Sequence, residues 1–571
     1  MPKNKGQVRR SQLITTYGVG SIVALEDESF MVAGLDRWDV EAPDLREPRL
    51  ERRLRVSGFV LPPASEDGND IPVVRFPKWA YCPECHLLQE HHRFTTIYDH
   101  KCNRCGVPVI PSRFVACCSK GHIEDFPYFN WVHAGQSSQS KTHQLRIESG
   151  GNTASLKNIL ITCSCGASRT MEGAFASNAL RHLKKCSGKR PWLCNDDPTP
   201  CEESLRTLQR GASNVWFSHT QSAISIPPWS EVAWKVISPH WEFLKDIKDE
   251  SLLTNMLNGA SIAKRSQFST QDLVEAIRYR QQLADQEINI EQDLKDEEYK
   301  ALCKGSKEVS KDQEFVCVPA PPQGDIIQKW FDLVMQVKRL REVRVLCTFS
   351  RVNPPPGTIP LDAPPLYDDD QGWLPGVEVI GEGIFLRLNE ERLKAWESKP
   401  GVQERAARIN RKYEERCARM QVEPDRDITP RFLLIHTLAH ALIAQWSLDA
   451  GYPASSLRER LYLSATMRGF MIYTATSDSA GSLGGIIAQA EPATLEDALT
   501  AAINTASWCS SDPLCIEADA GGVDSLNLAA CHACVLLPEV SCEEMNLFLD
   551  RATLVGTPED PDLGIFKELI E

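Results

Sequence analysis

Two pairs of cysteines constrain the N-terminal part of the chain more than any other feature of its sequence. Cys82/Cys85 and Cys102/Cys105 each have the Cys-x-x-Cys spacing, and sixteen residues separate the two pairs. A Cys-x-x-Cys turn places two thiolates on one side of a tight backbone knuckle, and two knuckles complete a tetrahedral zinc site. The spacing therefore predicts a zinc ribbon. Its role should be structural, since four thiolates leave no coordination position open for catalysis.

A second group of cysteines contains more thiols than one zinc ion needs. From the spacing we predict one zinc ion bound by Cys163, Cys165, Cys186 and Cys201. Other candidate ligands occur nearby: Cys117 with His122 could replace one of the predicted pairs, or the two residues could belong to the core. The roles of Cys118, His133 and Cys194 stay open. Zinc is expected in this region, with the ligand set undecided.

A third group lies near the C-terminus. Cys509 and Cys515 form one half of it, and the pair Cys531/Cys534 follows after a gap of fifteen residues from Cys515. This spacing again resembles that of a zinc ribbon, with Cys542 as a rival ligand. The three groups together predict two or three zinc ions per chain.

The composition supports metal binding over disulfide pairing. The chain has 20 cysteines in 571 residues, and its first residues lack the apolar core of a signal peptide. No apolar run approaches the length of about 20 residues that a membrane helix needs. A cytoplasmic location is therefore expected, and disulfides are rare in that compartment. Each isolated cysteine outside the groups is expected to be a small buried hydrophobic residue.

The length and the pattern of elements predict an α+β multidomain protein. We expect small β-rich zinc-ribbon modules in the N-terminal half, a helical middle and a C-terminal α/β zinc-binding domain. The expected domains are a β-rich region (1–70), a zinc-ribbon region with two cysteine clusters (71–230), a helical region with a Pro-rich loop (231–428) and the zinc-binding domain (429–571). In the third region, IIQKWFDLVMQVKRLREV predicts an amphipathic helix, and VRVLCTFS predicts a following strand.

The fourth region opens with an apolar helix that carries two histidines. Thr429 is a suitable N-cap, Pro430 suits the first helical position and Gly451 can end the helix. His436 and His440 are four residues apart, so they share one helix face. The zinc-protease motif requires Glu directly after the first histidine, and Thr437 is there instead. We therefore expect both histidines to be satisfied core residues.

Two functional hypotheses follow from the motifs. The sequence has no G-x-x-x-x-G-K-[ST] loop for nucleotide phosphates, which favours a subunit without its own ATPase activity. The alternative is a hydrolase or nuclease that uses His436, His440, Asp478 and Ser482. These residues do not form a known catalytic motif, so no catalytic residue is assigned.

Several segments together resemble a known family. HTLAHALI, YTATSDSAGSLGG, CSSDPLC and AACHACVLLPEVSCEEMNLFLDR are similar to the MrfA-type zinc-binding domain, which occurs with superfamily 2 DNA helicases. RRSQLITTYGVGSIV, RFPKWAYCPEC, GHIEDFP and LQRGASNVWFSHTQSAISIP extend the resemblance to the DrmB family of the DISARM anti-phage system. The resemblance implies zinc binding at the first and third cysteine groups. It also implies an antiviral defence complex with a helicase-like ATPase of the DrmA type that engages foreign DNA.

The charge distribution limits how such a chain can contact DNA. The net charge is −14, whereas a protein that binds nucleic acid over its whole surface would be basic. DNA binding is therefore expected at a local basic patch, through phosphate contacts. The residues of this predicted patch are Arg181, Lys184, Lys185, Lys189 and Arg190. Trp192 is a candidate for stacking on an unpaired base, and a solvated face with a core tryptophan is the alternative.

Overall fold

The computed structural model describes most of the chain. It describes residues 7–570, except for the segments 26–27, 41, 65–69, 95–99, 136–142, 151–154, 194–197, 228–235, 238–239, 260–261, 263–268, 286–291, 309–312, 354–362, 370, 421, 475–484 and 523–524.

The described residues contain both helices and strands, which often follow one another in runs of one type. The helices are α1 (Gln12–Thr15), α2 (Pro48–Leu54), α3 (Tyr128–Val132), α4 (Trp241–Leu244), α5 (Glu250–Gly259), α6 (Thr270–Asp285), α7 (Gln292–Lys304), α8 (Asp325–Trp330), α9 (Glu390–Glu397), α10 (Pro400–Met420), α11 (Pro430–Asp449), α12 (Pro492–Ala506) and α13 (Ala552–Val555). The strands are β1 (Ile22–Leu25), β2 (Glu28–Val32), β3 (Gly58–Val60), β4 (Val73–Arg75), β5 (Trp79–Tyr81), β6 (Leu87–Glu90), β7 (Ile110–Pro111), β8 (Phe114–Cys117), β9 (Ile123–Asp125), β10 (Leu145–Ser149), β11 (Ile159–Cys163), β12 (Ser168–Thr170), β13 (Arg206–Gln209), β14 (Phe217–Ile224), β15 (Val316–Pro319), β16 (Phe331–Ser350), β17 (Trp373–Leu388), β18 (Leu457–Leu463) and β19 (Arg468–Thr474). These elements confirm the α+β class.

The chain divides into two compact units that each combine separated stretches of sequence. Unit 1 contains residues 1–46, 55–221 and 344–377, and unit 2 contains residues 47–54, 222–343 and 378–571. The domains predicted from the sequence are each one continuous stretch, whereas each of these units consists of three stretches that alternate along the sequence.

Unit 1 is rich in small antiparallel sheets. Its six-stranded sheet has the order β12-β11-β10-β6-β5-β7, and two three-stranded sheets have the orders β1-β2-β4 and β13-β8-β9. A core of aromatic and aliphatic side chains, including Phe126, Trp131 and Leu145, packs beside the six-stranded sheet. This core brings the segments that carry the first two cysteine groups into one unit.

Unit 2 is built around the buried helix α11. Thr429 caps the helix by accepting a hydrogen bond from the Phe432 N–H, and Pro430 begins the helix, as predicted. The helix packs against β18, β19 and α12. Strands β18 and β19 form an antiparallel hairpin in which Leu457 pairs with Thr474. The helix is thus covered on several sides, which explains its nearly continuous apolar sequence.

The predicted amphipathic helix after residue 325 is only partly present. Helix α8 ends at Trp330, and the next twenty residues form strand β16. The helix prediction was wrong beyond Trp330, because pairing with β15 and β17 outweighs the local helical periodicity. The strand predicted over VRVLCTFS is present as the last part of β16. None of the helices among the described residues has both the length and the apolar character needed to span a lipid bilayer.

Candidate metal centres

The first cysteine group forms a compact cluster in unit 1, which we call the ribbon cluster. The thiols of Cys82, Cys85, Cys102 and Cys105 lie within 4.8 Å of one another. The Cys82 knuckle connects β5 to β6, and the His86 N–H donates to the Cys82 carbonyl at 3.0 Å. Four Zn–S bonds of about 2.3 Å in a tetrahedron place the sulfur atoms about 3.8 Å apart. The Cys85 and Cys102 sulfur atoms are 3.8 Å apart, so this donor set fits zinc.

The four cysteines predicted as a single middle site are divided between two clusters. Cys163 ends β11 in the six-stranded sheet, whereas Cys186 and Cys201 lie beside the β8–β9 hairpin of another sheet. The two pairs are therefore not brought together. Cys194 lies outside the described residues.

The hairpin cluster consists of Cys118, His122, Cys186 and Cys201. The turn between β8 and β9 carries the first two ligands, and Nδ1 of His122 lies 3.4 Å from the Cys118 sulfur and 3.7 Å from the Cys186 sulfur. Hydrogen bonds from Cys118, His122 and the Gly188 N–H lower the pKa of Cys186, whereas the hydrogen bond to Cys186 and burial raise the pKa of Cys118. The cluster thus favours a thiolate, which is the form that binds zinc.

Cys117 is excluded from the hairpin cluster by the alternation of its strand. It is the last residue of β8 and is fully buried. Burial raises the pKa of the Cys117 thiol to about 12, so this residue is a core thiol. Of the alternative pair Cys117/His122, only His122 belongs to the cluster, and Cys118 takes the place of Cys117.

The mixed cluster consists of His133, His143, Cys163 and Cys165. Nδ1 of His133 donates to the Phe129 carbonyl at 2.8 Å, which leaves Nε2 facing the Cys165 sulfur at 3.3 Å. A carbonyl that fixes the outer nitrogen of a histidine is a common feature of metal sites. Two imidazoles and two thiols at this spacing also fit zinc.

The C-terminal cluster in unit 2 consists of Cys509, Cys515, Cys531 and Cys534. The sulfur–sulfur distances are 3.4 Å for Cys509–Cys531, 3.8 Å for Cys515–Cys534 and 3.7 Å for Cys531–Cys534. These distances again approach the tetrahedral value, so the cysteines predicted from the spacing fit one zinc ion.

The fixed turn of the C-terminal cluster depends on Asp512. Its carboxylate accepts the Cys509 N–H at 2.8 Å and the Ile516 N–H at 3.1 Å, and Arg551 pairs with it. The knuckle also presents two apolar side chains to solvent, because Trp508 is 70% exposed and Leu514 is 82% exposed. The segment is therefore held rigidly while it exposes a small apolar surface.

Comparison with known proteins identifies the chain. A family model described as MrfA Zn-binding domain matches residues 438–535, and a domain of unknown function (DUF8724) matches residues 9–217. The DISARM protein DrmB of Bacillus paralicheniformis is 30% identical over 539 residues, which covers 88% of this chain and 92% of the relative. The chain belongs to the DrmB family. It is a zinc-binding DISARM defence protein, and the resemblance noted in the sequence is confirmed.

The predicted DNA-binding patch of this DrmB-family chain is only partly available to a ligand. Arg181, Lys185 and Lys189 are exposed. Lys184 pairs with Glu124, which also accepts the Ser187 N–H at 3.1 Å. Arg190 is half-buried, and its Nε has no hydrogen-bond partner within the described part of the chain.

Trp192 cannot stack on a base in this structure. Its side chain is fully buried, donates to the Pro365 carbonyl at 2.9 Å and packs edge-on against Phe349. Of the two alternatives for Trp192, the structure contains the core tryptophan, because apolar packing within unit 1 covers the indole.

The histidines of α11 are buried, as expected, but they do not lie in purely apolar surroundings. His436 and His440 face Glu459 and Cys542, which we call the buried cluster. Sequence analysis missed Glu459, because a single Glu in the apolar strand β18 has no spacing motif. Asp478 and Ser482, the other residues of the hydrolase hypothesis, lie outside the described residues.

Proposed function

We propose that this DrmB-family chain is a non-catalytic, zinc-stapled subunit that binds a helicase-like ATPase of the DrmA type and DNA phosphates in the cytoplasm. The observation that carries the proposal is that the ribbon, hairpin, mixed and C-terminal clusters each supply four ligands of their own. A zinc ion with four protein ligands has no free position for water or substrate, whereas a catalytic zinc keeps one. The four clusters thus support a scaffold.

The sequence supports the same division of labour. The sequence has no G-x-x-x-x-G-K-[ST] loop to hold nucleotide phosphates, which favours a partner that hydrolyses the nucleotide. The family resemblance noted in the sequence implies a helicase-like ATPase of the DrmA type as that partner.

The C-terminal cluster offers a surface for the ATPase partner. Trp508 and Leu514 are both largely exposed on a turn that the metal and Asp512 hold in place. Exposed tryptophan on a rigid support is typical of a protein interface, because it buries a large area with little loss of conformational freedom. We assign this surface to the ATPase subunit.

The module that contains the hairpin cluster offers a surface for DNA. Arg181, Lys185 and Lys189 are exposed on the segment that also carries the ligand Cys186, and none of the three has an ion pair within the described residues. Metal binding at Cys186 would hold their backbone in one arrangement. Because lysine and arginine can pair with any phosphate, the contact is expected to be independent of sequence.

The proposal is tested by reconstitution with the helicase-like ATPase. The purified chain alone is expected to hydrolyse no ATP, and the mixture is expected to form a complex whose ATPase activity responds to DNA. Replacing Trp508 and Leu514 by Ser should weaken complex formation without loss of zinc. Leu448→Ser is the matched control, because this leucine is 79% exposed at the far end of α11. ATP hydrolysis by the highly purified chain would contradict the non-catalytic role. A complex that the double variant leaves unaffected would contradict the assignment of Trp508 and Leu514 to the interface.

A further inference from the structure

We propose that the buried cluster of His436, His440, Glu459 and Cys542 is an additional metal site, suited to zinc. Nε2 of His436 lies 3.2 Å from the Cys542 sulfur and 3.1 Å from Oε1 of Glu459. Nε2 of His440 lies 3.5 Å from the same carboxylate oxygen. All four potential ligand atoms lie within 4.8 Å of one another, and all four residues are buried. The site is independent of the function proposed above.

The protonation of His440 leaves an electron pair facing the centre of the cluster. Its Nδ1 lies 2.7 Å from the Val535 carbonyl, and a carbonyl can only accept, so Nδ1 carries the proton. In the neutral imidazole, Nε2 is then an acceptor that faces the Glu459 carboxylate, a second acceptor. Both side chains are 0% exposed, so bulk water does not screen the two acceptors from each other. A cation between the two acceptors would remove this repulsion.

Cys542 is held in the manner of a thiolate ligand. Its sulfur accepts the Glu544 N–H at 3.3 Å and the Asn546 N–H at 3.2 Å. Cys509 and Cys186, which belong to the predicted zinc clusters, likewise accept an N–H from the residue two positions later, both at 3.4 Å. By contrast, the buried Cys317 lies outside the clusters and donates its S–H to the Leu302 carbonyl. Burial and the Glu459 carboxylate raise the pKa of the Cys542 thiol, whereas the two N–H groups point at the sulfur as they do in the predicted zinc clusters and would stabilise it once a cation has displaced the proton.

The ligand types indicate the kind of metal and its role. Two imidazoles, one carboxylate and one thiolate combine nitrogen, oxygen and sulfur donors, a mixture that suits Zn²⁺. One carboxylate and one thiolate balance the charge of a divalent ion, and the thiol proton leaves to solvent when the metal binds. Because four protein ligands close the site in a buried location, the metal would join α11, β18 and the Cys542 turn without taking part in catalysis.

The hydrogen bond of His440 also connects this site with the C-terminal cluster. Its acceptor Val535 directly follows the ligand Cys534. A metal at the buried cluster would thus orient the imidazole that holds the end of the neighbouring Cys531/Cys534 knuckle. The two sites would stabilise one continuous part of unit 2.

The first test measures the metal content of the full-length chain with Cys542→Ala. Inductively coupled plasma mass spectrometry should find one zinc ion fewer per chain than in the wild type. Cys317→Ala is the matched control, because it removes a buried thiol outside the clusters and should leave the count unchanged. An unchanged zinc count in folded Cys542→Ala protein would overturn the proposal.

The second test uses the wild-type protein, so it does not depend on whether the variant folds. Diffraction data from crystals of the full chain collected on both sides of the zinc absorption edge should give an anomalous difference peak between His440 and Cys542. A map with peaks at the other clusters and none at this position would overturn the proposal. If the two histidines only form hydrogen bonds with Glu459 and bind no metal, the map will show no peak at this position.

Discussion

The three exposed cations of the hairpin-cluster module allow a quantitative prediction about DNA binding. The variant Arg181→Glu/Lys185→Glu/Lys189→Glu is examined in the complex with the helicase-like ATPase. Lys184 is left unchanged, because its charge is already paired with Glu124. The substitutions leave every ligand of the hairpin cluster in place, so the complex should still assemble with its full zinc content.

The expected size of the effect follows from counterion release. Each phosphate contact contributes about −0.9 to the slope of log affinity against log salt on duplex DNA, so three lost contacts make the slope shallower by about 2.7. Between 50 and 200 mM salt, the wild-type complex should therefore lose about 40-fold more affinity than the variant over the same interval. The difference between the two complexes should consequently be largest at low salt.

Fluorescence anisotropy with a labelled duplex measures both slopes across a salt series. Lys300→Glu/Lys304→Glu/Lys307→Glu is the matched control, because it makes the same change in net charge at exposed lysines of unit 2. The control should retain the wild-type slope. If the variant and the wild type have equal slopes and affinities, the assignment of the DNA path to this module is refuted.

Three further predictions concern stability and metal binding. Cys531→Ser should release the zinc of the C-terminal cluster and unfold that module locally, detectable as faster amide hydrogen exchange in its segment, whereas Cys417→Ser should not, since Cys417 belongs to no cluster. Soluble, fully zinc-loaded Cys531→Ser protein would show that the ligand assignment is wrong. Glu298→Gln should destabilise unit 2 by about 3–5 kcal/mol at pH 7, because the buried Arg460 donates to Glu298 at 2.6 and 2.8 Å and would keep only the more distant Glu543, at 3.6 Å, as a counter-charge. Burial raises the pKa of Glu298, but Arg460 and Arg49 outweigh burial and lower this pKa overall. The stabilisation by the ionised Glu298 is therefore present above the unfolded-state pKa and is lost as the pH falls through the lower folded-state pKa. Denaturant unfolding should therefore give a difference between wild type and Glu298→Gln that narrows from pH 7 to acidic pH, and a constant difference would contradict the assignment.

Local signals predicted the parts of the fold that depend on neighbouring residues. The cap at Thr429, the proline at the start of α11 and the apolar character of that helix all act within a few residues, and the structure contains each of them. The first part of β16 could not be predicted in the same way, although the strand predicted over VRVLCTFS is its last part. Residues 331–342 have helical periodicity, and only pairing with strands distant in the sequence makes them extended.

The same distinction holds for the candidate metal sites. A Cys-x-x-Cys pair places both ligands by a local turn, so the spacing alone brought together the members of the ribbon and C-terminal clusters. The middle clusters depend on which sheet each segment joins, and the spacing of Cys163 and Cys186 carries no information about that. Glu459 was missed for a similar reason, since only the packing of β18 against α11 brings it close to His436 and His440.

Native mass spectrometry of the full-length chain tests most directly the claim that this protein is stapled by metal ions. The four clusters with at least two cysteines and the buried cluster predict five zinc ions per chain. Four ions would contradict the additional site at His436, His440, Glu459 and Cys542. A chain that is folded and binds its partner with fewer than four zinc ions would contradict the account of the cysteine clusters as metal centres.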